Sequence, residues 1–173
     1  MSETVKKEIW DWTKAIIIAF FLAFVIRNYV FATSIVEGTS MDPTLRDGER
    51  VIYNKMVYIM DDPERGDIVI IQRPTKNYVK RVIGLPGDTV QVKDHELYVN
   101  GKKSQQEYLN QQAISQTGDF GPRSVPENHY FVMGDNRDIS KDSRNGLGFV
   151  KREEVIGRSE LVVYPFDEWH MTR

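Results

Sequence analysis

The 173-residue chain carries 23 Lys+Arg against 25 Asp+Glu, so 23 − 25 leaves a formal charge of −2. A near-neutral balance argues against a nucleic-acid binder, which normally shows a basic excess. With 40% hydrophobic and 28% charged residues the chain is not wholly disordered, and without cysteine it has no disulfide scaffold, thiol catalysis, iron–sulfur cluster or cysteine-based zinc site. Its length suits one domain, or one domain plus an anchor.

The first element in chain order is an apolar block, Ala15 to Ile26 (AIIIAFFLAFVI), of twelve residues. Twelve is short of the ~18 that mark an unambiguous spanning helix. The flanks extend it. Trp10 and Trp12 precede the block, Tyr29 and Phe31 follow it, and Lys14 and Arg27 sit where long side chains can snorkel. From Trp10 to Phe31 the helical rise is about 33 Å at ~1.5 Å per residue. A cleaved signal peptide and a buried core helix are the alternatives. Arg27 and Asn28 intrude where a cleavage region should begin, and the block is apolar on all faces rather than along one stripe. The segment 1–33 is therefore read as a cytoplasmic tail and one transmembrane helix. Lys6, Lys7 and Lys14 favour a cytoplasmic N-terminus, although Glu3, Glu8 and Asp11 dilute the contrast.

From residue 34 onward the periodicity falls to two. Strands are expected at Arg50–Asn54, Asp67–Gln72, Tyr78–Ile83, Thr89–Lys93, Leu97–Asn100, His129–Met133 and Arg158–Tyr164. Asp47-Gly48, Arg65-Gly66, Pro86-Gly87 and Asn100-Gly101 punctuate them, and VQVKDHELYVNGK reads as a hairpin followed by an Asn-Gly turn. Many short strands joined by tight turns imply a mainly β domain over 34–173, built as coiled antiparallel sheets or a barrel-like assembly. Residues 102–126, with five glutamines and two prolines, are expected to leave this core as a polar excursion with scope for mobility.

Three stretches carry candidate chemistry. In GTSMDPTL (Gly38 to Leu45), Ser40 occupies a turn that presents its hydroxyl near free backbone N–H groups; this suits a nucleophile, but the segment alone favours an ordinary Ser-containing turn or an N-cap. In YVKRVIGLPGD (Tyr78 to Asp88), Lys80 lies within an apolar strand pattern, as either a snorkelling edge residue or a desolvated amine able to act as a base. GDNRDISKDSRNGLGFV (Gly134 to Val150) reads as a polar loop with internal ion pairs; as a calcium loop counted from Asp138 it fails at the sixth position, Ser143, and the twelfth, Phe149. His95, His129 and His170 show neither HExxH spacing nor a suitable triad motif, and no phosphate-cradling loop is present. No metal and no cofactor is expected.

The ordered set GTSMDPTL, RGDIVI (Arg65 to Ile70), YVKRVIGLPGD and GDNRDISKDSRNGLGF, behind an N-terminal apolar block, resembles type I signal peptidase in its compact, single-anchor Gram-positive form. The resemblance covers nearly the whole chain except 102–126. It implies a membrane-bound serine endopeptidase that removes signal peptides from exported preproteins, after small residues, through an acyl-enzyme. On that resemblance Ser40 matches the nucleophile and Lys80 the general base, while Ser140, Asp142 and Arg144 match supporting residues that orient the lysine and brace the loop. Val36, Met41, Leu45, Tyr78 and Val79 fall where the family lines its shallow substrate pockets. The implied partners are secretory preproteins, the lipid bilayer and a nearby export translocon, with no nucleic acid. One departure stands out: where some members carry a Ser that assists the oxyanion hole, this chain has Gly38. Two other readings remain open, a self-cleaving repressor-like protease with the same dyad and a non-catalytic, membrane-tethered peptide-binding module.

Overall fold

The computed structural model of the chain describes residues 3–172. Residues 1, 2 and 173, at the ends of the expected anchor and β segments, lie outside that range. Helix α1 (Glu3–Val25) contains the apolar block and passes into a π-helical turn, Ile26–Val30, before the chain becomes extended. None of the residues of α1 is buried; Trp10, Trp12, Phe20 and Phe21 are among its exposed side chains. Among the described residues, no helix is long and apolar enough to cross a membrane. The expected transmembrane helix is thus not found as such. The first half of α1 carries Lys6, Lys7, Glu8, Asp11 and Lys14, and its regular part stops at Val25, inside the apolar block.

The rest is mainly β. The strands are β1 (Phe31–Ile35), β2 (Arg50–Asn54), β3 (Ile68–Gln72), β4 (Asn77–Gly84), β5 (Thr89–Lys93), β6 (Glu96–Val99), β7 (Lys102–Lys103), β8 (Phe120–Ser124), β9 (His129–Met133), β10 (Val150–Lys151), β11 (Val155–Tyr164) and β12 (His170–Met171). Short helices α2 (Val57–Met60) and α3 (Gln111–Ser115) interrupt them. One sheet runs β1-β2-β11-β3-β4-β9-β10, with β12 pairing β11, and a smaller sheet runs β7-β6-β5-β8. All the pairings are antiparallel. Neither sheet closes among the described residues, because β1 and β10 end the large one without meeting. The barrel-like expectation is therefore corrected to two open sheets.

Both faces of the large sheet are covered. Ile68 and Ile70 of β3 join Val36, Met41, Leu45, Val51 and Val162 on one face; Val69 and Ile71 join Val82, Tyr130 and Val132 on the other. A strand buried on two faces needs a continuous apolar run, which is what IVII supplies. A third cluster (Ile83, Val90, Leu97, Phe131 and Met133 among others) joins the two sheets. The β5–β6 hairpin turns at Asp94-His95 and β6–β7 at Asn100-Gly101, all four residues having positive φ, as the two-residue turns of tight hairpins require.

Residues 102–126 do not form an excursion away from the core. They supply β7, α3 and β8, and Leu109, Ala113 and Thr117 are buried. Their polarity misleads because Asn110 caps α3 through the Ala113 amide, while Thr117 uses its hydroxyl on the carbonyl of Ala113.

Candidate active site

Ser40 lies in the tight turn between β1 and β2, which is closed by hydrogen bonds from the Asp42 amide to the Thr39 carbonyl and from the Leu45 amide to the Met41 carbonyl. Its own carbonyl accepts from the Asn136 amide at 3.2 Å, so the turn is tied to the loop that follows β9. Gly38 enters the turn at φ +81°, donating its amide to Asp47 at 2.6 Å. That left-handed backbone favours glycine, which gives a local reason for the absence of a side chain there.

Lys80 comes from the middle of β4, and its Nζ hydrogen-bonds Ser40 Oγ at 2.6 Å. The side chain is only 2% exposed. Burial pushes its pKa from 10.5 down to about 8, helped by Lys76 and Arg144 and opposed by the carboxylates of Asp142 and Asp135. Desolvation wins because the ammonium has no directly paired carboxylate among its recorded contacts, only a neutral hydroxyl.

The supporting residues lie behind this pair. Asp142 is fully buried and paired with Arg144 at 2.8 Å, and it also accepts from the amides of Gly134 and Arg144. Burial alone would raise the Asp142 carboxyl. The bonds and charge of Arg144, together with those amides, outweigh it and hold the carboxyl below its usual range. Ser140 is also fully buried, but among the described residues its Oγ finds no hydrogen-bond partner. An orienting bond from Ser140 to Lys80 is therefore not seen among them; the lysine bonds to Ser40.

Beside the pair opens a cleft of about 700 Å³, walled by residues 33–41 on one side, by 76–80 on the other, and by Ile139 and Lys141. Val36, Met41, Tyr78 and Val79 line it. Leu45 does not: it is fully buried in the core beneath the turn, where it packs with Val36 and Met41. Two strand edges face this opening. β1 is the end strand of its sheet, and β4 pairs with β9 only from Arg81 onward, so Asn77–Lys80 lack a neighbour on that side.

Several residues were not singled out by sequence reasoning. Arg81, next to Lys80, grips Asp135 through Nε at 3.0 Å and Nη2 at 2.6 Å, and Thr44 donates to the same carboxylate at 2.6 Å. Gly134 is needed for contact: a Cβ there would stand 2.1 Å from Ser140 Oγ and 2.3 Å from the Ser40 carbonyl oxygen. The available signal was the Arg adjoining the candidate base and the first Asp of GDNRD, two charges that strand alternation could not pair. Among the described residues, no cluster of His, Asp or Glu could hold a metal ion.

A hydroxyl held against a buried amine whose pKa burial lowers, beside a cleft with open strand edges, is the equipment of a serine hydrolase acting on extended peptides. Comparison with known proteins agrees. The family model for signal peptidase, peptidase S26, matches residues 9–164. "Signal peptidase I" of Bacillus licheniformis is 53% identical over 176 residues, covering 96% of this chain and 95% of that protein. "Signal peptidase I S" of Bacillus subtilis (strain 168) is 50% identical over 175 residues, covering 96% and 95%. The crystal structure of a signal peptidase I from Enterococcus faecalis matches with a TM-score of 0.50 at 37% identity, covering 57% of this chain and 97% of that one. The chain belongs to the signal peptidase family, peptidase S26.

Proposed function

We propose that this chain is a serine endopeptidase that cleaves signal peptides from exported preproteins by a Ser40–Lys80 dyad. The observation that carries the reading is the 2.6 Å contact between Ser40 Oγ and an amine that burial brings down to about 8. At pH 7.5 such an amine is neutral in roughly a quarter of molecules, against about 0.1% for a free lysine.

The substrate adds as a strand between the open edges of β1 and Asn77–Lys80, with Val36, Met41, Tyr78 and Val79 as apolar walls. Neutral Lys80 takes the Ser40 proton as Oγ attacks the scissile carbonyl. The Ser40 backbone N–H supports the oxyanion; Gly38 has no side chain to add a second donor. Collapse of the intermediate passes the proton from Lys80 to the leaving amine and leaves an acyl-enzyme, which water then hydrolyses by the same route in reverse. Ser140 adjusts the lysine, and Asp142 with Arg144 braces the loop.

The exposed apolar face of α1, continued by the π-turn to Val30, is suited to lipid rather than to the β domain. We infer a cell-membrane location with one crossing built from α1 and this turn. The N-terminus is then cytoplasmic and residues 34–173 outside, near the export translocon. Tethering there raises the local concentration of preproteins without tight binding.

Ser40→Ala tests the reading: preprotein processing should vanish, and a penem probe should no longer label the protein. A variant that still processes would remove Ser40 from the chemistry. Binding of signal peptides without any wild-type turnover would instead favour a tethered binding module.

A further inference from the structure

The segment between β7 and β8 reaches the charges behind the dyad chiefly through Tyr108, with Thr117 as a second contact to Arg137. The ring centroid of Tyr108 lies 3.9 Å from the Arg81 guanidinium carbon, and its hydroxyl accepts from Arg137 Nη2 at 3.3 Å. Each arginine then grips a neighbour in the loop after β9. Arg81 holds Asp135 through two hydrogen bonds, and Arg137 donates from Nε to the Gly134 carbonyl at 3.1 Å.

Gly134 is also held from its other side, since its amide donates to Asp142. Its Cα packs against Ser140 and the Ser40 carbonyl so closely that a methyl group would not fit. Movement of Gly134 is therefore movement of the turn that presents the nucleophile. Arg81 adjoins Lys80 in β4, so movement of Asp135 is transmitted to the base.

Arg137 makes the contact consequential. It is 2% exposed, and its hydrogen bonds run to neutral oxygens: the Gly134 carbonyl, Thr117 Oγ1 and the Tyr108 hydroxyl. A buried guanidinium that loses an acceptor must shift to find another. Burial raises the Tyr108 pKa, so its hydroxyl remains neutral at working pH.

We propose that Tyr108 is a positioning residue for the Ser40–Lys80 dyad, wedged between Arg81 and Arg137 so that the loop carrying Gly134 and Asp135 stays pressed against both partners. The inference rests on the dyad reading given above. It assigns a role in the reaction to the segment whose composition promised none.

The test compares the full-length wild type, Tyr108→Phe, Tyr108→Leu and Ser40→Ala in one peptide-cleavage assay. Tyr108→Phe keeps the ring on Arg81 and removes only the acceptor. We expect a 5- to 20-fold lower kcat with KM within twofold, and a further drop in Tyr108→Leu. The groups acting on Lys80 are Asp142, Asp135 and Arg144 from the loop and Lys76 from the approach to its own strand. A loosened loop admits water, so the alkaline-going limb of kcat/KM should move to higher pH by at least half a unit. Thermal melting of Tyr108→Phe, measured alongside, separates folding from rate. A lower melting temperature with unchanged kcat and an unchanged limb would make Tyr108 purely structural and overturn the inference while leaving the dyad intact. Residual turnover in Ser40→Ala equal to wild type would instead bring down the dyad reading and this inference with it.

Discussion

The Cα of Gly134 and the carbonyl oxygen of Ser40 pack so closely that a Cβ on residue 134 would stand 2.3 Å from that oxygen. On its other side it would meet Ser140 Oγ at 2.1 Å and Ser140 Cβ at 2.6 Å. The Ser40 carbonyl oxygen is backbone and Ser140 Cβ is fixed to its own backbone, so neither can swing aside. Gly134→Ala should therefore push the nucleophile turn away from its loop, costing at least about 2 kcal/mol in denaturant melts. Cleavage should fall by more than the loss of folded protein explains. Wild-type turnover in this variant would show that the turn tolerates displacement.

The burial that lowers the Lys80 pKa, on which its proposed role as a base depends, also costs stability. Its pKa is about 8 when folded and 10.5 in its ordinary state. The unfolded chain then binds more protons between these values, so stability rises with pH across that window. Below about pH 8 the penalty is fully present; at ~1.36 kcal/mol per unit it is on the order of 3 kcal/mol. Lys80→Met, which keeps the stem and removes the charge, should be inactive yet more stable than wild type at pH 7, with the gain fading as pH rises from about 8 to 10.5. Lys80→Arg should be inactive and less stable, because a guanidinium cannot shed its proton. A Lys80→Met protein that melts below wild type at pH 7 would contradict this account of the site.

Much of this was legible in the sequence, and the failures share a cause. Arg50–Asn54 and Thr89–Lys93 alternate in burial, His129–Met133 is a short β-rich run buried from Tyr130 onward, and all three form strands with those bounds. β1 escaped because Phe31–Ile35 reads as the tail of the apolar block, and β8 because FGPRS holds both Gly and Pro. In each case pairing with a neighbouring strand decides the structure, and propensity does not. Ser40 and Lys80 become candidates only as part of an ordered set of motifs. The surrounding charges Arg81, Asp135 and Arg137 could not be paired from sequence, since a buried charge looks like an exposed one until its counterpart is placed. Leu45 illustrates the converse: it closes the GTSMDPTL motif, yet the turn that bonds its amide to the Met41 carbonyl points it into the core.

Two buried groups in the loop after β9 should respond in opposite ways. Ser140 Oγ is buried without a hydrogen-bond partner, so Ser140→Ala removes an unsatisfied atom and should leave stability unchanged or slightly raised. Its cleavage rate should nevertheless fall, if that hydroxyl serves the lysine once the ammonium gives up its proton. Asp142→Ala leaves the Arg144 guanidinium and the Gly134 amide without their acceptor, at a cost of ~3–5 kcal/mol. Melting curves and rates measured on both variants distinguish the two. Equal stability losses would mean that the hydroxyl has a structural partner, and an unimpaired Ser140→Ala rate would end its proposed role.

The placement of α1 gives the remaining prediction. Its side chains are all outside the β domain, and Ile16, Ile17, Phe20, Phe21 and Phe24 are each more than half exposed. Leaving such a surface in water is costly at ~25 cal/mol per Å², and lipid is the solvent that removes the cost. On the proposed membrane location, the charges on its first half, Lys6, Lys7, Glu8, Asp11 and Lys14, would resist burial and keep that end at the aqueous boundary. With three lysines there, the N-terminus is expected to stay in the cytoplasm and the strand domain to lie outside, where translocated preproteins arrive. Protease added to intact spheroplasts should then digest residues 34–173 while a tag at the N-terminus survives until the membrane is opened. High salt should fail to release the protein from membranes, whereas detergent should succeed, because the contact is apolar and not ionic. A protected C-terminal domain would put the dyad on the wrong side of the membrane for its substrates, and release by salt alone would remove α1 as the element that holds it there.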